Sequence, residues 1–290
     1  MIKEFKKKRT VNLKQFAKDI SNQLKNKTDN PSLESKIILS HFLEIDIKDL
    51  YLFDNIEIDI DKINSVYEAI ELRLKDKPLE YIIGYKPFRF LKLKVNEDVL
   101  IPRNETEEII DIIKRFFPRA KTFLDIGTGS GAIALSIARE IENSFCVATD
   151  ISERALKIAK ENAKENNLEN KVVFELADLF PLEKEKFDVI VSNPPYIDIN
   201  NTRLSVISEE IYFEPKIALF AENKGLYFYE KILFKAKDYL FLDGGLIFEV
   251  GFNQAKEVVE IGESNNFSCF SLKDLNGIDR FVVCRRKMIK

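Results

Sequence analysis

The stretch FDVIVSNPPYID at residues 187–198 runs a buried apolar strand directly into Asn193-Pro194-Pro195-Tyr196. Two prolines fix the backbone and remove two donors. That leaves the Asn193 side-chain oxygen and the Pro194 carbonyl as acceptors facing one place, a pair suited to holding a planar NH2 group by both hydrogens. An amide nitrogen delocalises its lone pair into the carbonyl and is a poor nucleophile. Two acceptors aim it at an electrophile and stabilise the positive charge that develops on it during in-line attack. Tyr196 can pack on the flat group or beside the electrophile. No strong general base is required, because an alkylated, protonated amide loses its proton to water. Taken alone, the tetrapeptide would also serve as a rigid loop after a strand.

A second constellation precedes it. Phe123-Leu124-Asp125-Ile126 is a short apolar strand ending in Gly127-Thr128-Gly129-Ser130-Gly131, and AIALSIARE after it is helical. Glycines at a strand-to-helix turn let the backbone approach a ligand, and the helix N-terminus adds donors and positive potential. A nicotinamide-binding turn is the competing reading. Against it, the run is G-x-G-x-G with Ala134 where the third glycine of G-x-G-x-x-G would be. The next strand ends in Asp150, placed to accept both ribose hydroxyls of an adenosine. The third, VVFELADLF, supplies Asp178 to an adenine amino group and Leu179 to the ring face. Singly, such an Asp is as well explained as a helix cap or turn residue. In succession at the carboxyl edge of one sheet, the three ends describe an S-adenosyl-L-methionine site, with Asn193 bordering it.

These residues need a sheet to hold them. After Thr106 strand and helix patterns alternate, which implies a mainly parallel sheet covered on both faces. Its strands are KTFLDIG, FCVATD, KVVFEL, FDVIVSN, GGLIFEV, FSCFSL and DRFVVCRR, the last two antiparallel. The fold class is therefore α/β: a Rossmann-like, class I methyltransferase sheet of seven strands. Upstream, Leu13, Phe16, Ala17, Ile20 and Leu24 share a helical face. Asn30-Pro31 opens a second helix with Asn as cap. Asp61 precedes a third, whose stripe is Ile63, Val66, Tyr67, Ile70 and Leu74 and which Pro78 stops. From Phe88, alternation of Leu91, Leu93 and Val95 with Lys92 and Lys94 marks a half-buried strand, with a turn at Asn96-Glu97-Asp98. The expected organisation is a helical domain over 1–80, a β-hairpin linker over 81–104 and the sheet domain over 105–290.

The chain has 290 residues, a net charge of −3 and one histidine in an apolar stretch, which argues against histidine-rich metal sites and Ser-His-Asp chemistry. His41, in an apolar helical stretch, suits packing or capping. Cys146, Cys269 and Cys284 are odd in number and far apart, so the expectation is core filling rather than a disulfide framework or zinc site. No apolar run has signal-peptide or membrane-span length, so a cytoplasmic protein without a membrane partner is expected. Residues 1–29 hold nine Lys/Arg against three Asp/Glu. This is a solvated basic face or a transient ribosome or RNA contact.

In these motifs and their order the sequence resembles the HemK/PrmC family of release-factor glutamine methyltransferases over nearly its whole length. PLEYIIG and VLIPRNETEE resemble the family's linker signatures, and LDIGTGSGAIALSIA, ATDIS, FDVIVSNPPYI, YFEPKIAL, GGLIFEVG and DRFVV follow in its order. At Leu179 the family pattern has an aromatic. The resemblance implies methyl transfer to the glutamine of the Gly-Gly-Gln tip of class I peptide-chain release factors. It implies cofactor binding by Gly127, Thr128, Gly129, Ser130, Gly131, Asp150 and Asp178, beside which Asp125, Leu179 and Asn193 are expected to complete the cofactor site. Asn193, Pro194 and Tyr196 would be catalytic, and Pro195 would join them in holding the substrate amide. Arg103 and Glu105 are expected near the mouth of the site, although capping by Asn104-Glu105-Thr106 explains that segment as well. The alternatives are a ribosomal-protein glutamine methyltransferase and an amino-methylating DNA or RNA methyltransferase, against which no basic or aromatic-rich recognition domain is evident. A non-catalytic module on the same fold would not need an intact Asn193.

Overall fold

The computed structural model describes residues 8–51, 55–200 and 209–287. Two compact units divide the chain, Met1–Gly84 and Tyr85–Lys290. The first seven residues, which carry much of the basic N-terminus, fall outside the described residues. No helix among the described residues is long and apolar enough to cross a membrane.

In the first unit β1 (Lys8–Asn12) runs into α1 (Leu13–Leu24), where the Asn12 side chain accepts from Gln15 N at 2.9 Å as N-cap. Leu13, Phe16, Ile20 and Leu24 are buried as the spacing requires. Helix α2 (Pro31–Leu43) has its proline in the first turn, but the Asn30 side chain makes no capping bond. Instead Leu33 N and Glu34 N donate to the Asn30 carbonyl. His41 sits in the last turn of α2 with its ring edge-on to Phe42, a packing role. Strand β2 (Asn55–Asp59) pairs antiparallel with β1, a ribbon the helical reading of this region missed. Helix α3 (Ile60–Leu74) starts one residue before Asp61, and Ala69 takes the buried place expected for Tyr67. Tyr67 is 46% exposed and leans on Phe16. Pro78 does not stop α3, which ends at Leu74 with Lys75 as its C-cap; it opens the short α4 (Leu79–Ile83).

The second unit begins with a hairpin, β3 (Tyr85–Phe88) and β4 (Leu91–Lys94), in which Leu91, Leu93 and the following Val95 are buried and the lysines exposed. Arg89 at its tip pairs with Glu140 and Asp111. After α5 (Glu108–Phe116) come β5 (Thr122–Ile126), α6 (Ala132–Glu140), β6 (Phe145–Asp150), α7 (Glu153–Glu165), β7 (Val172–Leu176) and β8 (Phe187–Ser192). The two-residue strands β9 (Ile197–Asp198) and β10 (Phe220–Ala221) pair with each other. Next are α8 (Tyr227–Lys235), β11 (Leu240–Glu249), α9 (Ala255–Ser264), β12 (Phe267–Lys273) and β13 (Asp279–Arg286).

All seven expected strands form one sheet in the order β12-β13-β11-β8-β5-β6-β7. β11, β8, β5, β6 and β7 are parallel, while β13 runs antiparallel to both β11 and β12. Successive residues of a strand enter opposite cores: Phe123, Val189 and Ile247 join one cluster and Leu124, Ile190 and Phe248 the other. This is why the strands read as continuous apolar runs rather than alternating ones. From β5 the chain winds outward through β6 and β7, then returns to place β8 on the other side. The reversal opens a crevice at the carboxyl ends of β5 and β8.

One expectation fails in this sheet. Cys269 and Cys284, 15 residues apart, form a disulfide. They are register partners of the antiparallel β12–β13 pair, which sets their Cα atoms 4.1 Å apart. Spacing along the chain says nothing of such cross-strand proximity. Cys146 alone is free and buried, as core filling requires.

Candidate active site

The carboxyl ends of β5, β6, β7 and β8 open on one groove. Gly127 and Gly129 form part of its wall, with Asp150, Asp178, Leu179, Asn193, Pro194 and Pro195. Asp125, Thr128, Ser130, Gly131, Tyr196, Arg103 and Glu105 are outside that wall. The groove is also lined by residues the sequence did not single out: Asp98 to Leu100 after the hairpin, Ile151, Phe228, and Pro215, Ile217 and Ala218 of YFEPKIAL.

The glycine turn is built from beneath. Gly127, Gly129 and Gly131 have φ of 73°, 55° and 85°, a region that side-chain-bearing residues enter at a cost. A Cβ on Gly127 or Gly129 would meet nothing within 4 Å, so open groove stands over both. Below them Asp125 is fully buried, and its Oδ2 accepts from Thr128 Oγ1 at 2.6 Å and from Ala134 N at 3.1 Å. Burial pushes its carboxyl up to about 7, against the pull of those two donors. Asp125 and Thr128 therefore shape the turn rather than face the groove. Buried Asn162 on α7 donates to the carbonyls of Ser130 and Lys94 and accepts from Lys94 N, tying the turn to the hairpin.

Asp150 ends β6 with Oδ2 accepting from Gly129 N and Oδ1 from Ser152 N, both at 2.9 Å. Burial raises its carboxyl, and the backbone donors oppose this. With backbone donors at Gly129, Ser152 and Ile151 and about four lone-pair sites on a carboxylate, acceptor capacity is left for a ligand. Leu179 holds φ 69° with its carbonyl fixed by Thr149 Oγ1 at 2.6 Å.

At the end of β8, Ser192 Oγ donates to the Ile126 carbonyl at 2.8 Å and locks the two strand ends together. The loop beyond is braced on both sides. Ile197 N donates to Leu219 O, and Gln254 Nε2 donates to Tyr196 O at 3.0 Å. Gly225 is required here, since a Cβ on it would stand 2.0 Å from the Tyr196 carbonyl oxygen. The Asn193 amide points its Nδ2 at Thr106 Oγ1, 3.4 Å away, and Thr106 Oγ1 donates to Glu249 Oε2 at 2.6 Å. Tyr196 packs on the apolar cluster behind the groove. Its phenol is pushed up to about 12 by burial and by the nearby Glu249.

Arg103 is engaged by Glu214, a buried residue whose other oxygen accepts from Ile101 N. Asn104 makes no side-chain cap on the short helical turn Glu105–Glu107, so capping does not account for that segment. Glu214 and Glu249 were both missed as site residues. Their one signal was a carboxylate inside a mainly apolar motif, YFEPKIAL and GGLIFEV.

Burial raises the Glu249 carboxyl from 4.5 to about 7, with Thr106, Arg280 and Asn193 opposing and Glu105 assisting the rise. A group raised on folding adds stability that is complete below its unfolded value and is lost as pH climbs through its folded value. At about 1.4 kcal/mol per unit the loss is on the order of 3 kcal/mol between pH 4.5 and 7. Glu249→Gln, which keeps the shape and cannot ionise, should be more stable than wild type at pH 8 and similar at pH 4.5 in urea titrations. An equal stability difference at the two pH values would show that Glu249 does not titrate in this window.

The sheet order, with the antiparallel β13 inserted beside β11 and a groove at the β5/β8 switch point, defines a class I methyltransferase. A solved methyltransferase from Pyrococcus furiosus superposes with a TM-score of 0.53 at 20% identity, over 68% of this chain and 90% of that one. The methyltransferase small domain family matches residues 107–217 and the PrmC N-terminal domain family residues 15–84. A release factor glutamine methyltransferase of Fusobacterium nucleatum is 39% identical over 98% of this chain and 80% of its own length. One from Thermodesulfovibrio yellowstonii is 40% identical over 87% and 92%. The chain belongs to the release factor glutamine methyltransferase family.

Proposed function

We propose that this protein transfers the methyl group of S-adenosylmethionine to the side-chain amide nitrogen of the glutamine in the Gly-Gly-Gln motif of peptide-chain release factors. The observation that carries the reading is the Asn193 amide, held by its nitrogen and standing in the same groove wall as Asp150 and the glycine turn. The groove fits the cofactor. Open space stands over Gly127 and Gly129, and the half-buried Asp150 carboxylate, fixed by backbone donors, borders it. Bound there, S-adenosylmethionine would supply an electrophilic sulfonium methyl.

Asp150 would accept the ribose hydroxyls, Asp178 the adenine amino group, and Leu179 and Ile151 would cover the ring. Asn193 Oδ1 and the Pro194 carbonyl would each accept one hydrogen of the substrate amide, turning its nitrogen toward the methyl carbon. The new N–C bond would form on that nitrogen as the cofactor's C–S bond gives up its electron pair to sulfur, and the amide proton would be lost to water. The same two acceptors strengthen as charge develops on nitrogen. Pro195 fixes the loop, and Tyr196 backs it through its ring. Arg103, held by Glu214, and Glu105 belong to the mouth where the release factor enters.

Labelled methyl should pass to a class I release factor and not to ribosomal proteins, DNA or RNA; labelling of a nucleic acid in preference would overturn the substrate assignment. The helical unit is read as the grip on the large acceptor. A chain starting at Tyr85, which retains every groove residue, should bind S-adenosylhomocysteine within a few-fold of the full chain and methylate an intact release factor at least about tenfold less efficiently. Equal efficiency on the intact acceptor would remove that role from the helical unit.

A further inference from the structure

We propose that Thr106 and Glu249 are positioning residues that set which end of the Asn193 amide faces the groove, an inference that rests on the methyl-transfer reading above. An asparagine amide has an acceptor end and a donor end of nearly equal shape. Only with Oδ1 toward the substrate can Asn193 hold an incoming NH2 group. With the amide turned around, two donors would face each other.

The structure shows what breaks the tie. Thr106 has one hydroxyl proton and gives it to Glu249 Oε2 at 2.6 Å. Its oxygen can then only accept, and Asn193 Nδ2 is the donor aimed at it from 3.4 Å. A carboxylate, which accepts and cannot donate, thus imposes one direction on the whole chain of bonds. Thr106 is 4% and Glu249 1% exposed, so bulk water does not compete for either. The three residues come from the segment before α5 and from the ends of β8 and β11, and they meet only in the folded sheet domain.

Asn193 also hydrogen-bonds the Glu249 carboxylate directly, a second contact that a carboxylate can make only with the Nδ2 end of the amide. Arg280 on β13 favours its charged form, and Glu105 disfavours it. Tyr229 gives its hydroxyl to the Glu249 backbone carbonyl at 2.9 Å rather than to the carboxylate. Tyr196, with its phenol pushed up to about 12, stays neutral beside it. When Glu249 takes a proton it becomes a donor toward Thr106. The Thr106 proton is then free to point at Asn193, and the amide turns its oxygen inward. Activity should therefore fall on the acid side of about pH 7, through kcat rather than cofactor affinity.

The test compares Thr106→Val, Thr106→Ser and Glu249→Gln in the full chain. Thr106→Val should lose about 10- to 100-fold in kcat on a release factor, with S-adenosylhomocysteine affinity within about threefold, which also reports that the variant is folded. Thr106→Ser, which keeps the hydroxyl, should recover most of the loss. Glu249→Gln presents a neutral oxygen to Thr106, so its kcat–pH profile should lose the acid limb. A wild-type kcat in Thr106→Val, a serine variant as impaired as the valine, or an unchanged acid limb in Glu249→Gln would each overturn the proposal. The side-chain NH2 of Asn193, followed by NMR, should exchange slowly with solvent and shift with pH near 7 in wild type. Both features should vanish in Thr106→Val. Because this needs no acceptor, a wild-type enzyme that fails to methylate release factors while showing that behaviour would sink the substrate reading and leave the positioning role standing. Fast, pH-insensitive exchange in wild type would sink the positioning role alone.

Discussion

Replacing Asn193 by alanine should lower methyl transfer by about 100-fold or more at saturating cofactor, while affinity for S-adenosylhomocysteine stays within about tenfold. The asymmetry follows from where the side chain sits. Asn193 belongs to the loop after β8, and its side-chain nitrogen is held inward, by Thr106 and by the Glu249 carboxylate. The glycine turn and Asp150 are organised by their own contacts, through Asp125, Thr128 and Ser152. Deleting the amide thus leaves the cofactor cradle as it is and removes an acceptor that strengthens as the substrate nitrogen gains charge. Asn193→Asp keeps an acceptor and adds charge, and should retain partial activity. Single-turnover transfer at saturating cofactor separates the chemical step from binding; a wild-type rate in Asn193→Ala would contradict the amide-orienting mechanism.

Asp150→Ala should have the opposite signature. Its carboxylate is assigned two ribose hydroxyls, and charged hydrogen bonds of this kind contribute on the order of 1.5 to 3 kcal/mol, roughly 10- to 150-fold in affinity. The structure adds a second reason. Asp150 Oδ2 also accepts from Gly129 N, so its removal releases the tip of the glycine turn. Asp150→Asn, which keeps an oxygen for Gly129, should fall between alanine and wild type. Calorimetric titration with S-adenosylhomocysteine measures this directly. Wild-type affinity in a folded alanine variant would place the adenosine elsewhere in the groove.

What the sequence disclosed and what it withheld divide along physical lines. The seven strands were legible because each is an apolar run of five to ten residues bounded by turn residues, and because the glycine turn and NPPY are local in the chain. Asp150 and Asn193 could be placed for the same reason: each ends a strand, and strand ends of a parallel sheet share an edge. Features that depend on register or on distant partners stayed hidden. The β1–β2 ribbon pairs residues nearly fifty positions apart, and the Cys269–Cys284 bond depends on which residues of β12 and β13 stand opposite. Glu249 lies inside the legible strand GGLIFEV, but nothing local marks its role, since its partner Thr106 is 143 residues away. Tyr67 was misplaced because the buried arc of α3 is rotated toward Ala69 and Arg73, which leaves position 67 at its edge.

Glu249 also shows how site and stability oppose each other. Its burial destabilises the folded chain above pH 7, where the charged form directs the Thr106 hydroxyl. The more stable Glu249→Gln variant gives up that pH-dependent control.

The central claim, methyl transfer to one amide nitrogen, is tested most directly by locating the methyl group. The full chain is incubated with S-adenosylmethionine and a class I release factor, and the digested acceptor is sequenced by tandem mass spectrometry. A single added methyl on the side-chain nitrogen of the glutamine in Gly-Gly-Gln, absent when Asn193→Ala replaces the wild-type enzyme, is the predicted result. A methyl group on any other residue, or on that glutamine at equal yield with Asn193→Ala, would contradict it.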